Sequence, residues 1–250
     1  MNYSIVITTF DKRFETDLIP LISSIKSLRP EVEVILTVNG PVLSDFDQDY
    51  RGKLCQFLSG CIGVYPTMFP TFQSLAKLWN RGILTSSNDC ILILNDDLKI
   101  RAENGKSFFD YFESTLETAP KTFMINSSFS HFVVDKSEVI EVGFFDERLL
   151  GLGEEDGDFF WRYHEKFDKE IPDLKIDLID NIHSELADSG YTKGIRTASK
   201  FNRDFIKKHK YKEVLLGGYK GMFDKRVKKI LQDEVQYPYE AFSLENKKDL

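Results

Sequence analysis

The sequence predicts an α/β protein with a mostly parallel sheet, helices on both of its faces, and a C-terminal helical extension. Three observations predict this. Short runs rich in β-branched residues alternate with helix-periodic segments through the first two-thirds of the chain. The 250 residues are enough to bury a full core without disulfide staples. The charge is segregated: residues 191–230 carry 13 Lys/Arg against 3 Asp/Glu, whereas residues 1–190 carry 18 against 32.

The elements follow in order. Tyr3–Thr9, Val32–Val38, Cys61–Tyr65 and Cys90–Asn95 are short, apolar and β-branched, as strands buried on both faces should be. Between the first two, Phe14, Leu18, Leu21, Ile22, Ile25 and Leu28 recur at helical spacing, and Pro30 ends the run. Between the third and fourth, Phe72, Leu75, Ala76, Trp79 and Ile83 do the same, with Thr71 as the expected N-cap. A helix over Ser107–Glu117 precedes strands at Thr122–Asn126 and His131–Val134. Phe159, Phe160, Tyr163 and Phe167 define a further helix, Leu174–Ile182 a further strand, and from Ser199 the pattern is helical and basic. This places one α/β domain at 1–190 and a basic extension at 191–250.

Composition excludes several classes. The net charge of −7 argues against a general nucleic-acid binder. The three cysteines form no CxxC pair, which fits reduced thiols in a cytoplasmic setting. No apolar run approaches the ~20 residues of a membrane span, and no secretory leader pattern opens the chain.

Five groups of residues are candidates for chemistry. Asn95-Asp96-Asp97 directly follows the apolar run Ile91–Leu94, and open parallel sheets bind ligands beyond the carboxyl ends of their strands. Paired carboxylates there suit a hard divalent cation, Mg²⁺ or Mn²⁺, able to bridge an acidic site to a diphosphate. Taken alone, such a pair is more often simply solvated. Glu154, Glu155, Asp156 and Asp158 crowd a helix start, where acidic residues also complement the macrodipole. Four of them exceed what capping requires, and Asp156 or Glu155 is a candidate general base. His183 follows a predicted strand and is a candidate third metal ligand, although a lone histidine is more often structural; His131, His164 and His209 have no comparable context. Asn39-Gly40 reads as an ordinary turn, and Asn80 as a polar residue capping a neighbouring loop. GLGEED fails the G-x-G-x-x-G pattern, the EF-hand pattern is absent, and no GxxxxGK[ST] occurs.

In order and spacing these blocks resemble the family-two glycosyltransferases with the GT-A fold. Ile5–Phe10 followed by Asp11-Lys-Arg resembles that family's first strand and nucleotide-binding loop, and VILTVNG (34–40) its second strand. Asn80-x-Gly82 is similar to its N-x-G, ILILNDD (91–97) to its DxD-type strand, and GFFDER (143–148) with GEED (153–156) to its G-x-F-D-E…G-x-E-D region. Thr8 stands where the family usually has proline, and Asn39 where it usually has an acidic residue.

The resemblance implies a GT-A-type, Rossmann-like sheet and transfer of a sugar from a UDP-, GDP- or dTDP-sugar to a glycan or lipid-linked acceptor. It implies donor contacts at Thr8, Thr9, Phe10, Asp11, Asn39, Asn80 and Asp96. It places a divalent cation on Asp97 and His183, and catalysis on Asp156 with Glu155. Assembly of a surface glycan, with inversion at the sugar, is what the family implies. Basic residues in 200–229, Lys210 among them, would suit an anionic membrane at the cytoplasmic face, against the blander reading of a solvated helix. Two alternatives stay open: a sugar-phosphate nucleotidyltransferase, which would be expected to carry a glycine-rich loop that Thr8–Arg13 lacks, and a non-catalytic nucleotide-sugar-binding module.

Overall fold

The computed structural model describes residues 2–41, 44–182, 191–206, 210–213 and 227–230. The chain opens with β1 (Ser4–Thr9), all six residues of which are buried. A 3-10 turn (Asp11–Arg13) and a π turn (Phe14–Leu18) then lead into α1 (Ile19–Leu28). The expected helix begins at Phe14, but Pro20 has no N–H to give the preceding turn, so regular α-helical bonding starts only around it.

Next come β2 (Glu33–Val38), α2 (Gln48–Ser59), β3 (Val64–Met68), α3 (Leu75–Thr85) and β4 (Cys90–Asn95). The sequence pattern does not announce α2, although Asp47 caps it through its carboxylate and Tyr50, Leu54 and Leu58 form its buried stripe. β3 begins three residues later than the expected strand and carries Pro66. It is the edge strand, where a missing donor is tolerated. α3 is capped by Ser74, whose Oγ accepts from Lys77 N, rather than by Thr71.

The middle of the chain forms β5 (Leu98–Ile100), the small hairpin of β6 (Ala102–Glu103) and β7 (Lys106–Ser107), and α4 (Phe108–Leu116) with a Ser107/Asp110 capping box. β8 (Phe123–Ile125), β9 (Ser128–Asp135), α5 (Lys136–Val142) and α6 (Glu155–Phe167) follow. The strand expected over Leu174–Ile182 is two short ones. β10 (Asp173–Leu174) joins the main sheet and β11 (Ile179–Asn181) pairs with β5. α7 (Tyr191–Phe205) is helical as expected, but β12 (Tyr211–Glu213) and β13 (Val227–Ile230) pair with each other, so the described extension is not all helix.

The seven-stranded sheet runs β10-β8-β9-β4-β1-β2-β3, and only β9 is antiparallel to its neighbours. Two core layers cover it. On one face Ile5, Ile7, Leu36, Leu92 and Leu94 pack against α1, α2 and α4. On the other, Val6, Ile35, Ile91 and Ile93 meet Trp79 and Ile83 of α3 and Phe159 and Tyr163 of α6. Gly82 lets α3 lie against β1, since a Cβ there would sit 2.3 Å from Val6 Cγ1. The carboxyl ends of β1, β2 and β4 therefore open on one edge, lined by the loops that follow them.

Candidate active site

β1 and β4 run side by side with Thr8 opposite Asn95, so the loops after them meet. Asp96 is 2% exposed, and its Oδ1 accepts from Arg13 Nη1 at 2.7 Å. The same nitrogen lies 3.1 Å from Asp97 Oδ2, and Arg13 Nε is 3.9 Å from Asp17 Oδ2. Burial pushes the Asp96 carboxyl up to about 6, with the Arg13 charge pulling the other way. Arg13 thus neutralises a buried carboxylate and steadies a partly exposed one. The sequence alone assigns it no role, although it stands in the Asp11-Lys-Arg motif, and its only sequence signal is a basic residue in the first loop.

Around this pair, Tyr50 OH and Asn95 Oδ1 are buried with no hydrogen-bond partner among the described residues, while the Thr9 hydroxyl hydrogen-bonds the Asp96 carboxyl and helps to hold it down. Orphaned buried polar atoms are rare in folded proteins, and two together at a sheet edge call for a partner such as water, an ion or a ligand. Tyr50, on α2, feels the charges of Asp11 and Asp96, which add to burial in raising its phenol. Thr8 is buried beside Thr9, Phe10 lies under the Arg13 guanidinium, and Asp11 is exposed at the rim.

The two asparagines expected at the donor have their amides committed elsewhere. Asn39 exchanges two hydrogen bonds with the Gln73 backbone, at 2.8 and 3.0 Å. Asn80 is 2% exposed. It donates to Phe145 O and Glu147 Oε1 and accepts from Phe145 N, at 2.8 to 3.0 Å. These bonds give both amides a positioning role. Asn39 holds the loop before α3, and Asn80 holds the 143–148 block.

The acidic cluster reaches the same edge through the chain of contacts Asn39–Gln73 and Leu75–Gly151, the last a 2.8 Å backbone bond. Glu155 is 4% exposed. Burial, with the charge of Asp156, pushes its carboxyl up to about 8, and its Oε2 accepts from Gly153 N at 2.6 Å. Through that bond Glu155 holds the loop that leads into α6. Asp156 keeps partial exposure. Burial raises its carboxyl and the bond from Gly157 N lowers it, with a net upward shift.

Asp158 is fully buried, paired with Arg162 and with Lys210 at 2.8 Å, and Lys210 also reaches Asp146 at 2.6 Å. Lys210, 5% exposed, is part of this buried network and does not face a membrane, which corrects its place in the basic surface. His183 and most of 207–226 lie outside the described residues.

Asp97 with Asp96 offers adjacent carboxylates, one partly exposed, of the kind a magnesium-type ion takes while it fills its shell with phosphate and water. Among the described residues no three His, Cys, Asp or Glu side chains converge as a metal cage.

No protein-family model and no curated protein sequence matches the chain. Solved structures do. Glucosyl-3-phosphoglycerate synthase from Mycobacterium tuberculosis, in complex with Mn²⁺, UDP and glucosyl-3-phosphoglycerate, superposes with a TM-score of 0.55 at 11% identity. The match covers 86% of this chain and 84% of that one. The S. aureus protein TarS gives a TM-score of 0.55 at 13% identity, over 82% of this chain but 40% of TarS. TarS 1–349 in complex with UDP gives 0.50 at 12%, over 81% and 65%. These neighbours are glycosyltransferases of the GT-A type, and the fold of this chain is theirs. Among the described residues no helix is long and apolar enough to cross a membrane.

Proposed function

We propose that the protein is a glycosyltransferase that moves a sugar from a nucleotide-diphospho-sugar to an acceptor hydroxyl, with Asp156 as the base. One observation carries the proposal: a partly exposed carboxylate, Asp156, at the sheet edge that also holds the Arg13–Asp96–Asp97 group and its unpartnered polar atoms. The neighbours' UDP and Mn²⁺ support a donor and ion of that kind.

Thr9, Tyr50 and Asp96 would take the polar groups of the nucleotide, and Phe10 would border it. Asp97 with Asp96, and His183, would hold the divalent cation, whose chemistry is to neutralise charge building on the leaving diphosphate. Asp156 accepts the acceptor's proton as that oxygen attacks the anomeric carbon from the side opposite the diphosphate. The C–O bond to phosphate breaks as the new glycosidic bond forms, so one base and one displacement give inversion. Glu155, neutral, keeps a second negative charge away from Asp156. A glycan or lipid-linked acceptor at the cytoplasmic face, in surface-glycan assembly, completes the proposal.

The test is a thermal-shift screen of UDP, GDP, dTDP and their hexose conjugates, with and without Mn²⁺. At least one conjugate should stabilise the protein more with Mn²⁺, and a flat response to the whole panel would contradict the proposal.

A further inference from the structure

The loop over residues 149–154, which delivers Glu155 and Asp156, has an unfavourable backbone. Gly151 (φ 56°), Gly153 (φ 118°) and Glu154 (φ 78°) are all left-handed. Glycine adopts such angles freely, but glutamate does not, and a non-glycine residue stays there only when its surroundings hold it. The holding groups come from α7, more than forty residues further along the chain.

Asn202 of α7 is fully buried. Its Nδ2 donates to Leu150 O at 2.9 Å and to Gly153 O at 2.7 Å, while its Oδ1 accepts from Leu150 N at 2.7 Å. One side chain thus closes both ends of the turn. Ser199 Oγ and Arg203 Nε then bond Glu154 Oε1 at 2.9 and 2.6 Å, fixing the left-handed residue itself. The approach is tight: a Cβ on Gly153 would lie 3.0 Å from Ser199 Cβ. Phe205 and Ile206 anchor the helix end on Leu149 and Trp161. From Gly153 the bond to Glu155 Oε2 passes the constraint into the first turn of α6.

We propose that α7 is a clasp on the candidate catalytic loop, and that Asn202 is a positioning residue for Asp156. This rests on Asp156 being the base. A misplacement of about 1 Å at a reacting group costs on the order of 10²-fold in rate, so a residue that touches no substrate can control turnover through the loop.

The experiment compares full-length wild type with Asn202→Ala, Asn202→Asp and Arg203→Gln by amide hydrogen exchange, and by nucleoside diphosphate release from UDP-, GDP- and dTDP-hexoses. In Asn202→Ala, exchange over 149–157 should rise at least about tenfold while β1 and β4 stay unchanged. Release should fall about 10²-fold in kcat, with KM for the donor within about twofold. Asn202→Asp should behave alike, because a carboxylate cannot donate to the Leu150 and Gly153 carbonyls. Arg203→Gln, at an exposed ion pair, should lose only a few-fold.

If Asn202→Ala does not fold, Ser199→Ala combined with Arg203→Gln frees Glu154 and should raise exchange over 153–156. Unchanged exchange in either folded variant, or a loss that falls wholly in KM, would overturn the clasp. Full turnover by Asp156→Asn would instead remove the base while leaving the exchange result standing, so the two failures can be told apart.

Discussion

Replacing Lys210 by methionine keeps most of the side-chain volume and removes the charge. Its Nζ lies 2.6 Å from Asp146 Oδ2 and 2.8 Å from Asp158, whose side chains are 8% and 0% exposed. Breaking a buried ion pair by deleting one partner costs about 3–5 kcal/mol, because an uncompensated charge stays behind. Here each carboxylate keeps an arginine, Arg148 on Asp146 at 2.6 Å and Arg162 on Asp158 at 2.9 Å. The expected loss therefore sits at the low end, about 3 kcal/mol, or a fall in Tm of roughly 6–12 °C for a chain of this size. Lys121→Met is the control, since that lysine is exposed and its contact with Asp135 is 3.5 Å long. It should cost under about 1 kcal/mol.

The pH dependence gives a second readout. Burial alone would raise Asp146, but Arg148 and Lys210 outweigh it and hold its carboxyl well below the usual range. A depressed carboxyl stabilises the fold fully above its unfolded pKa of about 3.9, and the contribution drains away as pH falls below that. The gap between wild type and Lys210→Met should accordingly narrow from pH 7 towards pH 3. Scanning calorimetry across that range measures both. A Tm change no larger than the control's, independent of pH, would mean that Lys210 lies in solvent, as the sequence suggested. Binding to anionic vesicles should be the same in both proteins.

Three further outcomes are expected. Glu155, pushed up to about 8, binds a proton in the folded state that the unfolded state releases above about pH 4.3. Stability from this group is therefore lost as pH rises through that window, and Glu155→Gln should raise Tm at pH 8 but not at pH 4 in unfolding scans. Asn80→Ala strips both partners from the buried Phe145 amide N–H and carbonyl. At about 1–3 kcal/mol for each orphan, a loss of about 2–6 kcal/mol should appear in urea titrations. Gly82→Ala would force a methyl against Val6 Cγ1 and should cost about 1–3 kcal/mol, partly recovered by Val6→Ala in the same assay.

The sheet was legible because its strands are buried on both faces and so read as unbroken apolar runs such as Ile91–Leu94. α2 was not, because its buried stripe is only Tyr50, Leu54 and Leu58, one residue per turn at a spacing of four in a mostly polar segment. β9 could be seen as a strand, but its antiparallel direction depends on pairing partners that no local pattern records. In the site, the residue types at 96–97 and 155–156 announced themselves by clustering. Their division of labour did not, because it follows from burial: Glu155 and Asp156 are neighbours in sequence, yet one is sealed and the other partly open. The roles of Asn202 and Lys210 were hidden for a related reason. Each is defined by partners between 49 and 64 positions away, so nothing beside it in sequence distinguishes it from a surface residue.

The most direct measurement is nucleoside diphosphate release from UDP-, GDP- and dTDP-hexoses by wild type and Asp156→Asn, paired with donor-induced thermal stabilisation of both. Wild type should cleave at least one donor. Asp156→Asn should still be stabilised by that donor yet release its diphosphate at least about 10²-fold more slowly, the contribution expected of a general base. Equal release by the two proteins, or neither stabilisation nor cleavage with any donor, would contradict the assignment of this sheet edge to sugar transfer.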